Sequence, residues 1–182
     1  FDSSGNLFVA DRNNHVVRKI DTNGIITTVA GKGGDSGFSG DGGAATSAQL
    51  SQPYDIIFDA ADNMYISESK RIRKVDTSGN ISSFAGDGDG DFSGDGGAAT
   101  SAGLESPAHM ALDQWGNLYF ADNVHHVVRK IDTNGITTSV YGVGGSSGDS
   151  SADPKKLNSP FGVAYERIKI DALGEDEDHL YI

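Results

Sequence analysis

The stretch Ser39-Gly-Asp-Gly-Gly-Ala-Ala-Thr-Ser-Ala48 recurs letter for letter at Ser93 to Ala102, 54 residues on. Working outward, His15-Val-Val-Arg-Lys-Ile-Asp-Thr-Asn-Gly-Ile25 recurs at His126 to Ile136. Between these copies, Arg71-Ile-Arg-Lys-Val-Asp-Thr-Ser-Gly79 repeats the same segment. Pro53, Pro107 and Pro160 keep step, at spacings of 54 and 53. Self-similarity at a fixed period marks a repeat architecture. The 182 residues hold little more than three units of about 55.

Each unit contains four short runs with strand character. In the second unit they are Tyr54 to Asp59, Asn63 to Ser67, Arg71 to Asp76 and Ile81 to Gly86. Arg71-Ile-Arg-Lys-Val-Asp alternates polar and apolar, as a half-buried strand requires, whereas Tyr54-Asp-Ile-Ile-Phe-Asp suits a strand covered on both faces. The connectors Asp2-Ser-Ser-Gly5, Asp113-Gln-Trp-Gly116, Asp21-Thr-Asn-Gly24 and Asp132-Thr-Asn-Gly135 carry turn chemistry. There an Asp side chain bonds backbone amides at the start and Gly or Asn takes positive φ near the end. No helical stripe of useful length interrupts the pattern. The expected fold is all-β, a β-propeller of four-stranded antiparallel blades.

Composition narrows the function classes. The net charge is −12, with 14 Lys plus Arg against 26 Asp plus Glu. That balance excludes a nucleic-acid partner, whose phosphates need clustered cations. With no Cys, disulfides, thiolate metal sites and Cys nucleophiles are ruled out. No apolar run approaches the ~20 residues that cross a bilayer, so no direct membrane insertion is expected.

Gly116-Asn-Leu-Tyr-Phe-Ala-Asp122, the Pro-to-Asp spacing ahead of it and Asn14-His-Val-Val-Arg-Lys-Ile-Asp21 together resemble the NHL-repeat pattern. The Ser-Gly-Asp-Gly-Gly-Ala-Ala-Thr-Ser-Ala-x-Leu insert is similar to the long-linker variety of that family, found in large surface or secreted proteins. The resemblance covers nearly the whole chain and implies a propeller, usually six-bladed, used mostly as a binding platform. On this reading residues 1–182 belong to one propeller. Blade segments fall near 1–31, 53–86, 107–142 and 160–182, joined by Gly-rich linkers at 32–52, 87–106 and 143–159.

Phe1-Asp2 aligns with Phe58-Asp59, and Leu180-Tyr181-Ile182 with Met64-Tyr65-Ile66, so both ends fall inside blades. About three and a half blades cannot close a ring, and open flanks expose strand edges. The expectation is an internal piece of a longer polypeptide, the alternative being separate chains that complete the ring together. The segment from Glu166 to His179 is nine residues longer than its sibling and carries the acidic run Glu175-Asp-Glu-Asp178. It reads as a protruding hairpin or loop.

Asp87, Asp89, Asp91, Ser93 and Asp95 alternate through a Gly-rich loop, the spacing in which hard Ca²⁺ finds oxygen ligands. The likeness to an EF-hand loop stops at Phe92, where a sharp-turn Gly belongs, and at Ala98, where a bidentate Glu belongs. The expectation is a module that requires no cofactor, with Ca²⁺ the cation this loop would take. The Gly-Asp-Gly-Gly block is not a phosphate loop, since no Lys-Ser/Thr pair and no long helix follow it. Asp41 and Asp95 are instead expected to bond local backbone amides, and Ala-Thr-Ser-Ala to make one helical turn that plugs Leu50 or Leu104 between blades.

Arg18, Arg73 and Arg129 recur in phase with Asp11, Glu68 and Asp122 on the neighbouring strand, which predicts ion pairs. His15 and His126 share one repeat position and read as structural, and His125 reads as surface. His109 differs. It stands at the start of an innermost strand, where Asp55 and Gly162 stand in sibling units, and inner strands line the axial channel where propeller ligands gather. Asp55 and His109 are therefore the channel-ligand candidates.

No catalytic constellation stands out in the sequence. The leading expectation is a non-catalytic scaffold that binds protein partners, or the remainder of its own polypeptide, within a larger extracellular or cell-surface protein. One alternative is an enzyme of the lyase or lactonase propeller type with a metal at the axial channel. Another is a structural protomer that assembles into a filament, coat or other larger complex.

Overall fold

A computed structural model describes residues 1–144, 157–169 and 176–181, with the backbone alone described from 165 onward. The acidic residue Glu175 and most of the linker expected at 143–159 lie outside the described residues.

The chain is all-β, without an α-helix among the described residues. Strands β1 (Leu7–Asp11), β2 (Val16–Ile20) and β3 (Ile26–Ala30) form a three-stranded antiparallel sheet. Strands β4 (Ile56–Phe58), β5 (Met64–Ser67), β6 (Ile72–Val75) and β7 (Ile81–Ala85) form the next. A second four-stranded sheet holds β8 (Pro107–Leu112), β9 (Leu118–Asp122), β10 (Val127–Ile131) and β11 (Thr137–Gly142). Strands β12 (Ala164–Lys169) and β13 (Asp176–Tyr181) pair antiparallel, Ala164 opposite Tyr181 and Lys169 opposite Asp176. These are successive blades of a β-propeller segment, with short turns joining the strands within the first three and longer linkers leading from β3 to β4 and from β7 to β8.

The turns form as their Asp residues require. Asp132 Oδ1 accepts from the amides of Asn134 and Ile136, and Asp76 Oδ1 from those of Ser78 and Asn80, all at 2.9 Å. These amide bonds, first the one from Ile136 or Asn80, hold both carboxyls below their ordinary range.

The core is not inside the blades but in the seams between them. Met64, Ile66, Val75 and Ile81 of one blade meet Val17 and Ala30 of the preceding one. The next seam holds Tyr65, Ile72 and Ala85 against Met110, Leu118, Phe120 and Ile131. A third seats Val163 against Ala108, Ala121 and Val128. Single 3-10 turns at Ala45–Ser47 and Ala99–Ser101 deliver Leu50 and Leu104, both wholly buried, into the first two seams.

The first two linkers also add to the outer edge of the blade that follows them. Ile81 donates to Gly43 and accepts from Gly42, and Thr137 donates to Gly97 and accepts from Gly96, all within 3.0 Å. Gly94 is needed for the linker's path. Its φ is +87°, and a Cβ there would lie 2.6 Å from Ala102 Cα.

Candidate functional site

The inner strands β4 and β8 and the chain leading into β12 bring Asp55, His109 and Phe161 to one end of the molecule. The entry to each inner strand is strained. Gln52, Ser106 and Ser159, the residues before the three prolines, take φ of 53°, 54° and 49°. Non-glycine residues adopt this left-handed region only when the surroundings impose it. What imposes it is a bond from the preceding blade. Gln52 N–H donates to His15 Nδ1 at 3.1 Å and Ser159 N–H to His126 Nδ1 at 2.8 Å. In the middle unit, Ser106 N–H donates to the Ser69 carbonyl at 2.7 Å. His15 and His126 are thus structural acceptors.

Asp55 and His109 do come together, with His109 Nδ1 4.0 Å from Asp55 Oδ2. Both oxygens of Asp55 already accept from the backbone, Oδ1 from Ile56 N–H at 2.9 Å and Oδ2 from Met110 N–H at 2.7 Å. Asp55 therefore ties one inner strand to the next. His109 is half exposed and sits edge-on to Tyr54 and tilted on Phe161, with ring centroids 6.3 and 5.3 Å away. Tyr54 and Phe161 meet edge to face at 5.5 Å, and the Arg12 guanidinium lies 5.3 Å from the Tyr54 ring centre. Beside this aromatic group opens a cleft of about 210 Å³ lined by Arg12, Tyr54, Glu68, Asn123 and Phe161 among others. Burial pushes the Glu68 carboxyl up to about 7, against the lowering effect of the Ser51 amide and Arg73.

The five acidic-loop oxygens do not converge. Asp87 Oδ1 closes its own turn with Asp89 N–H at 2.8 Å. Ser93 Oγ accepts from Gly103 N–H at 3.0 Å, and Asp95 Oδ1 from Arg129 at 2.8 Å. Among the described residues no group of three or more His, Asp or Glu is set to hold a metal ion.

Two expectations need correction. Asp41 and Asp95 do not serve local amides. Asp41 accepts from Arg73 at 2.5 Å and from Ser83 Oγ at 2.7 Å, both on the following blade. The two arginines are fully buried, so each needs a countercharge, and the adjacent-strand acids stand farther off, Glu68 at 3.3 Å and Asp122 at 3.6 Å.

His125 is not surface but buried, its Nδ1 2.9 Å from Asp122 and its Nε2 2.9 Å from the Gly90 carbonyl. Burial opposes its charge, but the Asp122 bond and the Gly90 carbonyl outweigh that and raise its pKa. The acidic loop folds back onto His125, with Phe92 against the ring at 5.4 Å. Sequence reading missed this because residue 125 replaces an exposed Asn14 in the first unit.

Comparison with known proteins follows the same lines. The family model of the teneurin NHL domain matches residues 32–93 and 86–171. Teneurin-1 of Gallus gallus is 31% identical over 124 residues, which cover 60% of this chain and 4% of the relative. Teneurin-3 of Mus musculus is 37% identical over 76 residues, 42% of this chain and 3% of the relative. The chain therefore spans only a few per cent of the length of these relatives.

Among solved structures, a Bacteroides thetaiotaomicron protein of unknown function superposes with a TM-score of 0.68 at 20% identity, over 90% of this chain and 40% of that one. Virginiamycin B lyase of Staphylococcus aureus gives 0.55 at 16% identity, over 98% and 53%. Likeness at that identity shows the propeller fold and nothing of the chemistry.

Proposed function

The chain belongs to the teneurin NHL domain family, and from that premise we propose that it is a non-catalytic, protein-binding part of a propeller in a larger cell-surface protein. The observation that carries this reading is the cleft end of the inner strands. There Tyr54, His109 and Phe161 form an aromatic group edged by Arg12, and Tyr and Arg are among the residue types that dominate binding hot spots. Asp55, the acid nearest this group, spends both oxygens on backbone amides, a positioning role rather than a chemical one. The acidic surface favours a partner with basic residues at its rim.

The test is binding of the purified chain to an array of cell-surface ectodomains. Tyr54→Ala and Phe161→Ala are compared with Trp115→Ala, which alters an exposed blade turn. Loss of binding in the first two alone, with melting unchanged, is the expected result. Binding that survives both, or that follows Trp115, moves the partner surface elsewhere.

A further inference from the structure

Three arginines occupy one repeat position, and only two of them are covered. Each follows a register shift, between Val17/Arg18, Ile72/Arg73 and Val128/Arg129, where the outer strand carries one extra residue, Val29, Phe84 or Val140. Each faces a hydroxyl residue on the outer strand: Thr28, Ser83 or Ser139.

At Arg73 the socket is filled by the linker 38–50. The Phe38 ring centre lies 4.7 Å from the guanidinium carbon, Asp41 accepts at 2.5 Å, and the Ser39 and Gln49 carbonyls accept at 3.3 and 3.4 Å. At Arg129 the linker 92–104 repeats this contact for contact. Phe92 lies at 5.2 Å, Asp95 accepts at 2.8 Å, and the Ser93 and Gly103 carbonyls accept at 2.7 and 2.9 Å.

Arg18 has the same strands and the same register shift, but among the described residues no such linker lies over it. Its side chain is 37% exposed where the other two are at 0%, and among the described residues its polar partners are Asp11 at 3.7 Å and Thr28 Oγ1 at 2.6 Å. A cavity of about 460 Å³ opens over it, lined by Val16, Arg18, Thr28 and Lys32 and, among the described residues, by no acidic side chain. The adjoining face is bare too. Leu7, Val9 and Ile26 are 39–59% exposed, while their repeat partners Leu118, Phe120 and Thr137 are buried.

The geometry points to a docking socket at Arg18 for one occupant: a Phe-Ser-Gly-Asp-Gly-Gly-type linker of a further NHL unit. Its carboxylate takes Arg18 and Thr28, and its phenyl ring covers the guanidinium. The charges fit, a cationic pocket in an otherwise acidic chain meeting an acidic loop. The inference is independent of the cleft and of what binds there.

The experiment titrates the chain with a capped peptide of the sequence Phe92–Leu104, by calorimetry. Saturable binding is expected. The same peptide with Asp95→Asn should bind at least about tenfold more weakly, as should the parent peptide on the Arg18→Met chain. The peptide arm alters nothing in the folded protein, so a misfolded variant cannot mimic the result. Equal binding of the Asp and Asn peptides, or no saturation, overturns the proposal. So does a concentration-dependent dimer in sedimentation that the peptide does not dissociate, since a second copy would then cover the face.

Discussion

Arg73 and Asp41 meet at 2.5 Å across 32 residues of chain, a wholly buried guanidinium on one blade held by a carboxylate on the linker that leads into it. Removing one partner of a buried pair leaves the other charge uncompensated. Arg73→Ala should therefore lower unfolding stability by about 3–5 kcal/mol, because Glu68 also loses its cation. Urea titration measures this, and a loss under about 1 kcal/mol contradicts the buried pairing.

Stability should depend on pH in a defined direction. Glu68, raised to about 7 by burial, contributes stability that is complete below its ordinary 4.5 and lost as pH rises through its folded value. His125, also raised, contributes fully below 6.5 and loses that contribution above its folded value. Asp76 and Asp132 are lowered and act oppositely, losing their contribution as pH falls through their folded values. The urea midpoint should then be highest near about pH 4.5 and fall progressively from there toward about pH 8. Glu68→Gln should flatten part of that fall. A midpoint that rises steadily toward alkaline pH contradicts both assignments.

Asp95 is the countercharge of Arg129. Asp95→Asn should lower the melting temperature by the same amount in excess Ca²⁺ and in chelator, whereas Asp89→Asn should leave it near the wild-type value. A loss confined to Ca²⁺-containing buffer would show the loop acting as a cation site instead.

Gly94 passes against Ala102 at positive φ. Gly94→Ala should cost about 1–3 kcal/mol or more from backbone strain alone. Gly96, also at positive φ but with open space around its Cβ position, should cost less. Equal losses in the two thermal melts would remove close approach as the cause.

At the cleft, Asp55 and His109 should separate cleanly. Asp55→Ala leaves the Met110 amide without its acceptor and should destabilise by about 1–3 kcal/mol. His109→Ala, a half-exposed ring, should stay within about 0.5 kcal/mol while weakening partner binding. The reverse ranking in denaturation would mean that His109 holds the inner strands.

The repeat made the strands, the Asp-headed turns and the plugging of Leu50 and Leu104 legible from sequence, because each depends on residues a few positions apart. The Asp41–Arg73 bond was not legible. Its reading needs to know over which blade the linker closes, and that is settled by the seam, not by local pattern. The burial of His125 was hidden for the same reason, since the covering residues, Gly90 and Phe92, come from a loop 35 and 33 residues earlier. Repeat phase put Asp55 and His109 at equivalent inner-strand positions, and the structure sets them 4.0 Å apart. What phase could not tell is that the Asp55 oxygens are already taken by backbone amides.

The position of the linkers has a consequence for inheritance. Leu50 and Leu104 pack in the seam between two blades, and Asp41 and Asp95 neutralise the arginine of the blade that follows. A duplication cut at strand boundaries would copy a blade whose buried arginine has lost its nearest carboxylate and kept only the more distant acid of its own blade. A cut just ahead of Phe38 or Phe92 copies both together. The segment able to multiply intact is therefore a linker with the blade after it, residues 38–91 between the two cuts, out of phase with the four-stranded sheet that the eye takes as the unit. Copying in that frame gives each new blade the acid its arginine requires.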